Sequence, residues 1–218
     1  MKITLVSQVS IDGKITLGEG ASSKELFSLL TEEDMKFIHG IRGEVDGILV
    51  GMNTIRYDNP SLTCRYNGGK NPIRIIPTNS MNVPKDVTIV KDNEKTIFIT
   101  NERNREKVEL YNECDNISCI LSGKDKLDIV QAFEILEKEY HINHIMLEGG
   151  GELNWSLLEL GLIDEVIVMQ LPILIGGRSN ISLVDGEGFH LMEKIPKFKL
   201  KSVEVRENIS INKYEKIK

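Results

Sequence analysis

The chain has little of what marks an exported, membrane-bound or metal-dependent protein. Of its 218 residues only three are cysteine: Cys64, Cys114 and Cys119. Their number is odd and none forms a C-x-x-C pair, which argues against a disulfide framework or a zinc knuckle. The histidines are few as well, and His141 and His144 read as solvated residues at a helix-to-strand junction rather than metal ligands. No apolar run approaches the roughly 18 residues that span a bilayer. The N-terminus runs from Met1-Lys2 straight into a strand-like ITLVS, without the apolar block of a signal peptide. Basic residues are outnumbered, 27 against 33 acidic, giving a formal charge of −6. That balance argues against non-specific nucleic-acid binding and leaves room for a local basic pocket that takes phosphate. The G-x-G-x-x-G fingerprint, the Walker lysine–serine pair and the H-x-E…P-C-x-x-C deaminase signature are all missing. Together these absences predict a cytoplasmic, metal-free protein with no membrane or nucleic-acid partner.

What is present is ordinary for a globular enzyme: 40% hydrophobic and 28% charged residues, in a chain long enough for a proper core. Strand-like runs occur at 3–9, 47–50, 72–77, 96–100, 117–121, 144–150 and 164–177. Helical patterns fall between them at 23–30, from Thr31 to about Gly43, at 125–140 and from about Gly151 to Leu160. The tail from Lys197 alternates around Glu207-Asn208 as an antiparallel hairpin. No repeat or long linker interrupts the alternation. The pattern predicts a single domain over 1–218, a three-layer α/β/α fold on a mixed, mostly parallel sheet.

Two stretches could carry chemistry. Residues 45–65, VDGILVGMNTIRYDNPSLTCR, begin as a buried strand, break at Gly51 and then present polar side chains at short intervals. Ligand sites of open α/β sheets lie outside the carboxyl ends of strands, and this stretch reads as such a strand opening into a loop. The second is Glu148-Gly149-Gly150-Gly151, at the end of a strand and the start of a helix. Helix N-terminal N–H groups beside glycine suit a phosphate, although a tight strand–helix turn would look the same.

The region 42–65 and EGGGELN at 148–154, with SIDGK at 10–14 and DEVIVMQLPILIGG at 164–177, resemble the RibD C-terminal-like branch of the dihydrofolate reductase fold, the riboflavin-biosynthesis reductases. The four blocks occur in that family's order and spacing across nearly the whole chain. The resemblance implies a reductase that uses NADPH to convert a ribosylamino-pyrimidine 5′-phosphate to its ribitylamino form, with hydride delivered to C1′ of the opened ribose. Position by position, it implies cofactor contacts at Gln8, Gly51, Thr54, Asp58, Asn79 and along Gly150 to Ser156, including Gly150, Gly151, Glu152, Leu153 and Asn154. It implies substrate contacts at Ser22, Arg42, Leu62, Arg65 and Glu148, with Lys14 and Glu148 as candidates to move the proton. The two arginines offer fork-shaped donors suited to a phosphate. Family members are dimers, so a homodimer is implied.

The chain departs from the family at Thr78-Asn79, where many relatives carry Asp-Ser and the serine contacts cofactor; this bears on NADPH over NADH. No deaminase segment precedes the reductase blocks, so deamination would fall to another protein. Whether the substrate is the diaminopyrimidinone or the deaminated aminouracil cannot be read from these residues. Two alternatives stand beside this reading: a dihydrofolate reductase-like enzyme acting on another small molecule, and a non-catalytic nucleotide-binding partner of a separate deaminase. Dihydrofolate itself is disfavoured because the helix beginning at Thr31 offers no evident buried carboxylate to protonate a pterin.

Overall fold

Buried β-branched runs and short amphipathic helices alternate along the chain. The computed structural model describes residues 1–18, 20–66 and 68–217. In chain order it has strand β1 (Lys2–Val9), helix α1 (Glu32–Glu44), β2 (Gly47–Val50), α2 (Met52–Asp58), β3 (Ile73–Pro77) and α3 (Thr88–Lys91). Then come β4 (Thr96–Thr100), α4 (Arg105–Glu109), β5 (Ile117–Leu121), α5 (Ile129–Tyr140) and β6 (His144–Gly149). The chain closes with α6 (Gly151–Glu159), β7 (Glu165–Gln170), β8 (Phe198–Arg206) and β9 (Ile209–Lys216). The strands hydrogen-bond in the order β5-β4-β3-β2-β6-β1-β7-β9-β8. Every resolved pairing among β1 to β7 is parallel, and β7–β9 and β8–β9 are antiparallel. The expected mixed, mostly parallel α/β fold closing in an antiparallel hairpin is borne out. No described helix is long and apolar enough to cross a membrane.

The chain divides into two compact units, residue 1 with 32–146 and residues 2–31 with 147–218. In the first, β2 and β4 are buried at every position, as strands covered on both faces must be. Ile48 and Val50 of β2 pack with Ile55, Leu62, Ile76 and Phe98 into one cluster. Full burial of each such side chain contributes about 1.5–3 kcal/mol. Gly47 leaves no room for more, since a Cβ there would stand 2.6 Å from Ile75 Cδ1. Helix α5 turns Ala132, Phe133 and Leu136 inward. It starts at Ile129 rather than at 125, because the Asp128 carboxylate accepts the Gln131 N–H at 3.0 Å and caps it there.

Two other boundaries differ from the sequence reading. Residues 52–58, read as loop, form α2, a helix of seven residues whose Met52, Ile55 and Asp58 face inward. It ends at Asn59 in the left-handed region (φ 41). In the second unit β7 stops at Gln170, not 177. Pro172 has no N–H for the ladder, and Ile173 N–H instead closes a tight turn on Leu171 O at 2.8 Å. The terminal hairpin forms as expected, its two-residue loop carrying Glu207 at φ 45.

Candidate active site

In the first unit α1 and β3 hold the loop 59–66 from two directions. Asp34, Ile38, His39 and Arg42 lie at helical spacing and form the buried face of α1. Arg42, 8% exposed, donates through Nη1 to Thr63 O at 3.3 Å. From β3, the fully buried Arg74 grips Asp92 with both arms of its fork, at 2.8 and 2.6 Å. The same guanidinium donates to Glu94 O at 2.5 Å and Ser61 O at 3.3 Å. Cys64 N–H is taken by Asn71 Oδ1 at 2.9 Å. Fixed at both neighbours, Leu62 is held at φ 55 while its side chain is 2% exposed. A leucine in that region costs about 1–3 kcal/mol, sustained here by the anchors on either side.

The loop presents Arg65 outward. Its guanidinium is exposed and pairs with no carboxylate among the described residues; its contact is with His39, at 3.2 Å from Nη2 to Nε2. On α2, Thr54 is half-buried and its hydroxyl makes no hydrogen bond among the described residues. Asp58 is 8% exposed at the last helical position, and Gly51 is the N-cap. Asn79 follows β3, and its main-chain oxygen accepts from Asn101 Nδ2 at 3.1 Å and Asn104 Nδ2 at 2.9 Å. Its side-chain oxygen accepts Leu127 N–H at 2.9 Å, so the two oxygens of Asn79 together fasten three loops. One expectation fails here. The helix beginning near Thr31 does carry a buried carboxylate, Asp34, 2% exposed in the first turn of α1. Its position four residues before Ile38 and eight before Arg42 turns it inward, whereas Glu32 and Glu33 face out.

The second unit holds the remaining candidates, and residues 180–185 meet three of them, Lys14, Gly151 and Asn154. Gly149 and Gly150 have φ 80 and φ 87, values that favour glycine, and α6 begins with no side-chain cap. A Cβ on Gly151 would stand 2.7 Å from Ser182 O. Asp185 N–H donates to Gly151 O at 3.1 Å, and Asn154 Nδ2 donates to Leu183 O at 2.7 Å. Asn154 Oδ1 is buried without a hydrogen-bond partner among the described residues. Lys14 Nζ donates to Asn180 O at 2.8 Å and Ser182 Oγ at 2.9 Å, leaving one of its three N–H bonds over. Asp12 stitches two motif blocks together: its carboxylate accepts Ser10 Oγ–H at 2.6 Å, Ile175 N–H at 3.0 Å and Gly176 N–H at 2.6 Å. The Ser10 hydroxyl first, then the two amides, lower its pKa to about 2. Ser22 caps the 3-10 turn at Ser23–Leu29 by accepting Lys24 N–H at 3.1 Å. Gln8 on β1 rests its amide 3.8 Å from Met169 sulfur, and Glu148 is half-buried on β6. Glu152 and Leu153 lie in the first turn of α6.

Thus Gly51, Thr54, Asp58, Leu62, Arg42, Arg65 and Asn79 belong to the first unit, and Gln8, Lys14, Ser22, Glu148 and Gly150 to Asn154 to the second. Sequence reasoning passed over His39, Asp34 and Arg74. Helical spacing was the available signal for the first two, and Arg74 gave none in an apolar strand. The open start of α6, with glycine-only backbone before it, fits a phosphate-bearing cofactor.

A parallel-rich sheet closing in an antiparallel hairpin, with a glycine turn feeding an uncapped helix, is the arrangement of the dihydrofolate reductase-like fold. The model of the RibD C-terminal domain matches residues 1–209, and the chain belongs to that family. It is 42% identical over 215 residues to the 2,5-diamino-6-ribosylamino-4(3H)-pyrimidinone 5′-phosphate reductase of Aquifex aeolicus, covering 98% of this chain and 95% of that one. The protein of the same name from Methanothermobacter thermautotrophicus is 33% identical, with 91% and 90% covered. The solved structure of Acinetobacter baumannii RibD superposes with a TM-score of 0.80 at 21% identity. All of this chain is covered there but only 58% of that one, which is the longer protein.

Proposed function

We propose that the chain acts as one reductase domain that uses NADPH to reduce 2,5-diamino-6-ribosylamino-4(3H)-pyrimidinone 5′-phosphate to its ribitylamino form. The observation that carries the reading is the anchored loop 60–66, which holds Leu62 at φ 55 and sets out an exposed arginine with no acidic partner among the described residues. The names borne by relatives at 42% and 33% identity support the same substrate, in preference to the deaminated aminouracil.

Gly150, Gly151, Glu152, Leu153 and Asn154 hold the cofactor phosphates through the N–H groups at the start of α6. Gln8, Gly51, Thr54, Asp58 and Asn79 complete the cofactor contacts, Thr54 through its unengaged hydroxyl. Arg65 binds the substrate phosphate with its fork, Arg42 supports it, and Ser22, Leu62 and Glu148 line the substrate. When bound, the reduced nicotinamide would supply the hydride that C1′ of the opened ribose receives. The sugar oxygen released by ring opening takes one proton; Lys14, with its remaining N–H, and Glu148 are the groups assigned to deliver it. The protein functions in the cytoplasm as a homodimer, beside a separate deaminase. The β8 edge supports the dimer: Val203 is 53% and Val205 75% exposed on a nine-residue strand.

Incubation of the diaminopyrimidinone phosphate with NADPH deuterated at the transferred position tests the reaction. Mass spectrometry should find one deuterium at C1′ of a ribitylamino product. Unlabelled product, or none, would remove the assignment. A second reading follows from Asp34, whose burial reopens a pterin-like substrate.

A further inference from the structure

One buried histidine of α1 has no part in the reaction as proposed. His39 is 0% exposed, and the tripeptide Cys64-Arg65-Tyr66 is docked on it at every residue. Its Nδ1 lies 3.1 Å from the main-chain N of Arg65, and its Nε2 lies 3.2 Å from Arg65 Nη2. Its carbonyl accepts the Cys64 thiol at 3.2 Å. The ring meets Tyr66 edge-on, centroids 5.1 Å apart at 64°.

Hydrogen-bond chemistry sorts the two ring nitrogens. A main-chain N–H can only donate, so Nδ1 is the acceptor, and in the neutral ring the proton then sits on Nε2. A guanidinium can also only donate. In that tautomer the approach of Nε2 to Nη2 sets two donors side by side rather than forming a hydrogen bond. His39 fixes the backbone of Arg65 and walls one edge of its side chain without taking up a donor. Arg42, one turn further along α1, holds the preceding Thr63 carbonyl at 3.3 Å.

We propose that His39 is the positioning residue for Arg65: it orders the main chain ahead of binding and leaves the guanidinium donors for the phosphate monoester of a sugar. Ordering of this kind lowers the entropy lost on binding and is felt in affinity rather than in the chemical step. The inference rests on the reading of Arg65 as the phosphate contact.

Two polar substitutions of similar bulk separate positioning from packing. In His39→Asn the side-chain oxygen stands as many bonds from Cβ as Nδ1 does, so an acceptor for Arg65 N–H remains. In His39→Gln the oxygen lies one bond further out and that acceptor is lost. The readouts are substrate KM, kcat, NADPH KM and the Kd of ribose 5-phosphate by calorimetry. His39→Gln should raise substrate KM and ribose 5-phosphate Kd about tenfold, with kcat and NADPH KM within about twofold. His39→Asn should recover most of that loss. His39→Gln combined with Arg65→Ala should bind no more weakly than Arg65→Ala alone. Equal binding by the Asn and Gln variants, a parallel fall in NADPH affinity, or additive losses with Arg65→Ala would overturn the positioning role while leaving Arg65 as the contact. An unchanged ribose 5-phosphate Kd in Arg65→Ala would overturn both.

Discussion

Replacing Arg74 with methionine removes, from one fully buried point on β3, the donors that hold Ser61 of the loop 59–66 and the connection before β4 to one group. Arg74 grips both oxygens of Asp92 and also donates to Glu94 O and Ser61 O. Stripping one partner from a buried ion pair costs about 3–5 kcal/mol. Asp92 is 29% exposed on its side chain and regains water, which trims the loss. Methionine keeps the apolar stem packed and introduces no new buried donor. The net cost is about 2–4 kcal/mol. At this chain length each kcal/mol moves Tm by about 2–4 °C, so Arg74→Met should melt roughly 4–16 °C lower by circular dichroism. Arg74→Lys should fall between, because an ammonium cannot span both carboxylate oxygens. Loss of the Ser61 anchor should also raise substrate KM, since Leu62 next to it is strained. A drop of less than about 2 °C in Arg74→Met would refute the reasoning.

Four further outcomes follow. Gly151→Ala would press a Cβ to 2.7 Å from Ser182 O and 2.9 Å from Asp185 Oδ2. NADPH Kd by fluorescence titration should weaken at least about tenfold, and an unchanged Kd would count against phosphate binding at α6. Asp12 titrates near 2 rather than 3.8, so its carboxylate contributes stability above pH 3.8 that is lost as pH falls through 2. Acid unfolding of Asp12→Asn should be shallower over that interval, and superimposable curves would refute its stitching role. Burial, then the neighbouring Cys114, pushes the Cys119 thiol up to about 11; it should stay unlabelled by aromatic disulfide reagents at neutral pH until the protein unfolds, and fast native labelling would contradict that. Val205→Glu on the exposed β8 edge should convert a dimer to monomer in light scattering, and an unaltered mass would place the interface elsewhere.

The strands were legible because their burial matches their composition. TIFIT at 96–100 is buried at every position, and parallel strands read as unbroken apolar runs. Helix α2 was not legible: Asn53, Thr54, Asp58 and Asn59 are weak helix formers, and its inward face rests on Met52 and Ile55. The end of β7 could have been found from Pro172, whose missing N–H outweighs the apolar run around it. At the candidate site, the glycines before α6 and the arginine on the loop announced themselves by type and place. Asp34 and His39 did not, since an acidic first turn and a lone histidine are common on solvated helices. The eight-residue spacing from Asp34 to Arg42 was the signal that both face inward. Arg74 was hidden by its neighbours, an arginine among isoleucines whose partner Asp92 lies 18 residues on.

The most direct test of the central claim is steady-state turnover by purified protein, followed as loss of reduced-nicotinamide absorbance. The diaminopyrimidinone phosphate, the deaminated aminouracil phosphate and dihydrofolate would be offered separately. The account predicts the highest kcat/KM for the diaminopyrimidinone phosphate, with Arg65→Ala losing most of it through KM. Turnover of none of the three by protein that still binds NADPH, or preference for dihydrofolate, would contradict it.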